Sequence, residues 1–147
     1  MQHVQEQRLT GRLLKYWQLL RKTHAIPEME QFNSDAVSDL WPQCFLLNVD
    51  THGSVAYKYE VVGQSITTVY GRDLTGLAVD TNSKKFPGSI ISKKLAETVD
   101  QQQPSEDHGH FVSDDGKMVK YRACFLPFGN DKKGVTHIIV GLSFRVF

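Results

Sequence analysis

Between residues 55 and 76 the chain changes its period twice, and this limits the folds open to it. Val55, Tyr57, Tyr59 and Val61 alternate with Lys58 and Glu60, the two-residue period of a strand with one buried face. The run stops at Gly63 and a short helical piece follows. The turn Gly71-Arg72-Asp73-Leu74-Thr75-Gly76 closes the segment, since glycine supplies breaks and an Asp side chain can bond nearby backbone amides.

The flanking segments predict the rest. Val4 to Lys22 is helical: Leu9, Leu13, Tyr16, Trp17 and Leu20 form one face of a 3.6-residue period. Val4, Leu14 and Leu19 lie off that stripe. Either they bury a second face, against another copy of the helix, or they are scattered exposed apolar residues of the ordinary kind. Pro27 ends this region. Ser34 or Asp35 caps a short helix ending near Leu40, before Pro42. Phe45, Leu47 and Val49 then face away from Asn48 and Asp50 in a first strand, followed by the turn Thr51-His52-Gly53.

Beyond the helical middle, Ile90 to Gln102 forms a second helix with Ile91, Leu95, Thr98 and Val99 on one side, stopped by Pro104. A hairpin runs from His108 to Ser113, through Asp114-Asp115-Gly116, and back from Lys117 to Pro127. Its inner face is Val119, Tyr121, Ala123 and Phe125, opposite Lys120 and Arg122. The last strand, Thr136 to about Phe144, points Ile138, Val140, Leu142 and Phe144 to one side. Two strands, a helical middle and three strands make an α+β domain around an antiparallel sheet. It divides into an amphipathic helix and link over residues 1–30 and a sheet domain over 31–147.

Bulk properties narrow the class. A chain of 147 residues suits one domain. With 17 basic and 16 acidic residues the formal charge is +1, which exerts no global pull towards nucleic acid or an anionic membrane. The pairs Lys84-Lys85, Lys93-Lys94 and Lys132-Lys133 are dispersed and read as solvated surface. No apolar run reaches the roughly 20 residues that cross a bilayer, and the start lacks a secretory pattern, so the expectation is a cytoplasmic protein. Cys44 and Cys124 sit in apolar segments and read as buried free thiols.

Several short motifs stand together in order: Tyr16-Trp17 with Leu20-Arg21, Pro27, Leu40-Trp41-Pro42, Phe45-Leu46-Leu47, Val62-Gly63, Tyr70 to Gly76, and Leu126-Pro127. From about Leu13 to Phe144 the chain resembles the PAS domain superfamily, within it a bacterial family of small, largely stand-alone PAS-like proteins. The resemblance implies a five-stranded antiparallel sheet, a helical middle and an N-terminal flanking helix. It implies a sensory or regulatory module that encloses a small cavity, and a homodimer through the flanking helix. Cofactors are not expected. Flavin photosensors of this kind carry a reactive cysteine in an Asn-Cys-Arg-Phe-Leu run, which is absent. Haem-binding members often use a histidine from the long helix before the hairpin, and Ile90 to Gln102 contains none. A covalent chromophore also lacks its local context.

The candidate ligand-binding residues are Tyr57, Tyr59, Tyr70, Arg72, Phe86, Ile91, Leu95, Tyr121 and Phe125. The aromatic ones either fill a core or border a pocket whose apolar wall carries tyrosine hydroxyls. Arg72-Asp73 either shapes a turn or places Arg72 at the mouth to meet an anion. His108 and His110 share a strand face and can chelate, but a third ligand is not evident. No Cys-x-x-Cys, His-Glu-x-x-His or Gly-x-Ser-x-Gly pattern occurs. The expectation is a module that binds a small apolar or amphipathic ligand, or a protein partner, without catalysis, metal or nucleic acid. A small isomerase- or dehydratase-like enzyme is the alternative, and needs an inward-facing Asp and His. A pure interaction domain with a filled core is the third reading.

Overall fold

The computed structural model describes residues 8–147. A first helix, α1 (Leu9–Arg21), precedes three single 3-10 turns and the strands β1 (Cys44–Asp50) and β2 (Ala56–Val62). The helical middle holds α2 (Gln64–Tyr70) and α3 (Gly88–Gln101). Three strands follow: β3 (Ser105–Val112), β4 (Met118–Asn130) and β5 (Gly134–Val146). They form one five-stranded sheet in the order β2-β1-β5-β4-β3, antiparallel at every pairing. The expected α+β architecture is present.

Most of the sheet is covered on both faces. On the inner face Phe45, Leu47, Tyr57, Tyr59, Tyr121, Phe125, Ile138, Val140 and Leu142 are buried beneath the helical middle, where Ile66, Ile91 and Leu95 close the core. On the outer face Cys44, Leu46, Cys124, Leu126, Phe128 and Ile139 are also buried. The layer above them is α1, which packs on β4 and β5 through Leu9, Leu13 and Trp17. Trp17 Nε1 donates to the Pro127 carbonyl at 2.7 Å, which pins the helix to β4 and satisfies a buried donor. Tyr16 and Leu20, at the margin of the stripe, are half-buried. The predicted start of this helix, Val4, lies outside the described residues.

Three local expectations are corrected. The alternation predicted Val61 on the same face as Tyr59. Instead the register slips between Leu46 and Leu47: Leu47 faces Tyr59, Leu46 faces Val61 and Phe45 faces Val62. One extra residue, Glu60, makes this a β-bulge, so Val62 turns inward while Val61 is 38% exposed. The bulge sets the Glu60 carboxylate 3.3 Å from His137 Nε2 on the outer face. Second, Val55 precedes the strand and is exposed. Third, the predicted helix ending near Leu40 is only the turn Ser34–Val37, and its cap is Asn33, whose side chain accepts from the Asp35 amide at 3.0 Å.

The edge of β2 is not left open. Tyr59 and Val79 donate to the carbonyls of Leu77 and Tyr57, each at 2.9 Å, and Gly76 donates to Tyr59 at 2.7 Å. The segment after the Gly71–Gly76 turn thus lies along β2 like a short extra strand, which removes an unpaired edge and fixes the turn against Tyr59.

Candidate functional site

The site begins with two elements that end on glycine. β2 carries Tyr57 and Tyr59 inward and stops at Gly63. α2 runs to Tyr70 and closes on Gly71, which has φ of 101° and whose amide bonds the Thr67 carbonyl. Only glycine adopts that left-handed backbone at little cost, so Tyr70 is the last helical side chain and Arg72 starts the turn. Asp73 stabilises the turn: its Oδ1 accepts from the Thr75 amide at 2.9 Å and the Thr75 hydroxyl at 2.6 Å. These bonds, the hydroxyl first, hold the Asp73 carboxyl below its ordinary range. Leu74, beyond it, is buried.

This arrangement leaves a recess of about 190 Å³ between β2 and the helical middle. Tyr59, Tyr70, Arg72, Asp80, Ser83 and Lys85 supply its polar groups. Lys85 Nζ stands 4.2 Å from the centre of the Tyr70 ring and 2.8 Å from Asp114 Oδ2. Burial, and then the neighbouring Tyr70, push the Tyr59 hydroxyl well above its ordinary pKa, so it stays a neutral donor at the base of the recess. Among the described residues Arg72 has no carboxylate within ion-pair distance.

Beside the recess Phe86 anchors an aromatic cluster. Its ring stacks on Phe111 at 4.3 Å and 4°, meets Phe144 edge-on at 5.8 Å and Tyr121 at 6.0 Å. A second opening, of about 20 Å³, lies next to it, by Val69, Tyr70 and Phe111. Tyr121 donates to Asp107 Oδ2 at 3.5 Å. Burial, and then the negative charge of Asp107, raise its hydroxyl to about 12.

The predicted residues therefore separate. Tyr59, Tyr70 and Arg72 line the recess together. Phe86 borders the smaller opening. Tyr121 joins the aromatic cluster, and Tyr57 is buried against the β1 side of the sheet, opposite Val49. Ile91, Leu95 and Phe125 have no accessible surface. A side chain bordering a void wide enough for water would keep some, so these three fill the core. Sequence reasoning missed Ser83 and Lys85. Lys84-Lys85 carries no periodicity, and only the path of the chain from Asp80 to Pro87 turns Lys85 towards Tyr70.

His108, His110 and His137 all project from the outer face, by their pairing with Arg122, Lys120 and Phe128, so none stands beside the inward Asp107. Among the described residues no three His, Cys, Asp or Glu side chains gather closely enough to hold a metal ion. Cys44 and Cys124 are free, buried and on the outer face. Burial raises both thiols, Cys124 to about 12.

Comparison with known proteins places these features. A family model described as "PAS domain" matches residues 5–143. No curated protein matches the sequence. Among solved structures, one titled for a flavin analogue and the light-oxygen-voltage domain mechanism superposes with a TM-score of 0.54 at 9% identity, covering 79% of this chain and 87% of its own. The light-state structure of the blue-light photoreceptor Aureochrome1 LOV gives 0.52 at 8% identity, covering 74% and 85%. A PAS domain from Colwellia psychrerythraea gives 0.47 at 12% identity, covering 77% and 95%. At these identities the likeness to the first two concerns the fold.

Proposed function

This chain belongs to the PAS domain family, and on that premise we propose that it is a sensory or regulatory module that binds a small ligand and catalyses no reaction. The observation that carries this reading is the recess where Tyr59, Tyr70 and Arg72 converge. The tyrosines and Arg72 suit a polar or anionic end of a small ligand, and Leu74 and Leu77 supply an apolar wall. At about 190 Å³ the recess is smaller than the roughly 300 Å³ at which ordinary ligand pockets begin. A larger ligand enters only if the helical middle shifts from the sheet. That coupling makes occupancy a signal, because a ligand that binds the shifted arrangement better increases its population. The sheet is one residue thick, with Tyr121 and Phe125 on one face and Cys124 and Leu126 beneath α1 on the other, so α1 is the element that reads the change out to a partner.

Flavin is not carried over from the neighbours. The thiols of Cys44 and Cys124 lie on the outer face, away from the recess, and α3 bears no histidine for haem. No helix among the described residues is long and apolar enough to cross a membrane, and we take the protein to act in the cytoplasm. We also propose a homodimer through α1, where Leu19 is 67% exposed.

Native mass spectrometry of freshly purified protein tests the ligand reading. The expected result is a copurified small molecule that is lost from Tyr70→Ala and Arg72→Gln. A bare chain mass for the wild type, with no retained molecule, counts against it.

A further inference from the structure

The outer face of the sheet has an uncovered end. Beyond the reach of α1, cross-strand pairing sets residues from three strands side by side. His110, Lys120 and Arg145 form one row, since His110 pairs with Lys120 and Lys120 with Arg145. His108, Arg122 and Ser143 form the next. Lys120, Arg122, Arg145 and both histidines are exposed. All members of the two rows but His110 line a groove of about 460 Å³, and Arg8 lines it as well. Among the described residues no Asp or Glu lines the groove. Among the described residues, none of Arg8, Lys120, Arg122 and Arg145 has a carboxylate within ion-pair distance.

This concentration needs a cause. Like charges directly opposite on adjacent strands destabilise a sheet, and Lys120 faces Arg145 directly. The chain as a whole carries +1, so four cations in one corner are not the overflow of a basic protein. The first turn of α1 adds to the field. Arg8 is its N-cap, the turn holds no acidic residue and no side chain caps it, so its positive dipole end is uncompensated among the described residues. The charged groups described at the groove favour negative charge, and the Ser143 hydroxyl adds a neutral donor.

We propose that this groove is a binding site for a compact, multiply charged phosphate group, such as a di- or triphosphate. Size decides between a small ligand and a polymer. Two rows two residues apart span about 7 Å along the strands, and three strands span about 10 Å across. That footprint matches a short polyphosphate. A nucleic-acid backbone needs a longer track of positive charge, and here Glu106 on β3 and the α1-covered row of Cys124 and Gly141 bound the patch. Arg122 and Arg145 can each engage two phosphate oxygens through the guanidinium fork. Lys120, whose Nζ sits 4.8 Å from the centre of the Phe147 ring, acts as a point charge between them. The site lies on the opposite face of the sheet from the Tyr59 recess and does not depend on it.

Calorimetric titration of the full chain with inorganic tripolyphosphate tests the assignment. The variants are Lys120→Gln with Arg122→Gln, Arg145→Gln alone on the neighbouring strand, and Lys93→Gln with Lys94→Gln on α3 as a charge-matched control. The wild type should bind saturably at a single site, more weakly as salt rises. The Lys120/Arg122 pair should weaken binding roughly tenfold or more, Arg145→Gln by less, and the control should leave it unchanged. These side chains are exposed except Lys94, which is half-buried and pairs with Glu97 at 3.1 Å, and circular dichroism confirms that each variant is folded. Absence of saturable binding in the millimolar range overturns the proposal. So does equal loss in the control, or no loss in either groove variant. A single-stranded oligonucleotide that binds the wild type while tripolyphosphate does not replaces the proposal with a nucleic-acid surface.

Discussion

Leu13 occupies the space that a side chain on residue 141 would need. A Cβ built on Gly141 would fall against Leu13 Cδ1, closer than real Cβ atoms pack, with Leu9 Cδ2 at 3.0 Å and Cys124 Sγ at 3.4 Å. The missing side chain in the middle of β5 is what lets α1 lie directly on the sheet. The helix therefore docks as a knob over a gap between Cys44 and Cys124, both of which pair with Gly141.

Gly141→Ala should then destabilise the fold by about 1–3 kcal/mol through overpacking, although alanine suits a strand better than glycine does. Leu13→Ala alone should cost about 2–5 kcal/mol by leaving a cavity. The double variant should be less destabilised than the sum, because the residues touch. Urea unfolding of the four proteins gives the coupling. Strict additivity would mean that the helix does not sit over Gly141 in solution.

Alkaline pH should unfold the protein earlier than its surface charge suggests. Burial raises the thiols of Cys44 and Cys124 and the hydroxyls of Tyr57, Tyr59 and Tyr121. In the unfolded chain these groups ionise near about 8.5 for thiols and about 10 for tyrosines. Above those values the native state holds more protons than the unfolded state, so stability falls as pH rises. The contribution is complete below the unfolded values and shrinks from about 8.5 upward; for Cys124 and Tyr121 it declines until their folded values, about 12, are passed. Urea midpoints between neutral and strongly alkaline pH should fall progressively, and less steeply at the onset in Cys124→Ala. A flat profile would contradict the burial of these groups.

The inner face of the sheet was legible because alternation encodes it directly. Val119, Tyr121, Ala123 and Phe125, and Ile138, Val140, Leu142 and Phe144, point as their period requires. The outer face was not. Leu46, Cys124 and Leu126 are apolar at the positions where alternation asks for polar residues, and only a covering helix explains them. Ser105 to Asp107 pairs with β4 although the segment is polar, because half-buried edge positions place little demand on side-chain type. The bulge at Glu60 has no local signature. The recess was partly legible: Tyr59, Tyr70 and Arg72 lie within one turn-rich stretch, whereas Lys85 arrives by a loop whose path no periodicity records. The basic rows on the outer face were invisible for the same reason, since their members are distant in sequence and adjacent only through register.

Phe125 and Tyr59 should respond differently to truncation. Phe125 is wholly enclosed, so Phe125→Ala should cost about 3–5 kcal/mol. Tyr59 is also buried but its hydroxyl meets the recess, so Tyr59→Phe should change stability by less than about 0.5 kcal/mol while weakening any ligand held there. Denaturant unfolding separates the two effects. A Tyr59→Phe cost as large as that of Phe125→Ala would mean that the hydroxyl is a structural bond donor in the core.

The flanking helix gives the last test. Leu9, Leu13 and Trp17 are spent on the sheet, so a dimer through α1 must use what remains. Leu19 is the exposed large apolar side chain of the helix, and half-buried Leu14 projects to the other side of the stripe, above a groove shared with Gln18, Arg21 and Gln101. Two copies pairing about a two-fold axis bury the same patch twice, which makes one substitution count double. Leu19→Glu should therefore shift the wild-type dimer to monomer in sedimentation at tens of micromolar, with its urea midpoint at low protein concentration unchanged. Leu14→Glu is the less clean probe, because Leu14 packs against the core and charging it would cost stability as well. A wild-type chain that sediments as a monomer would leave α1 as a cover for the outer sheet face alone, and the partner that reads the signal would have to be a different protein.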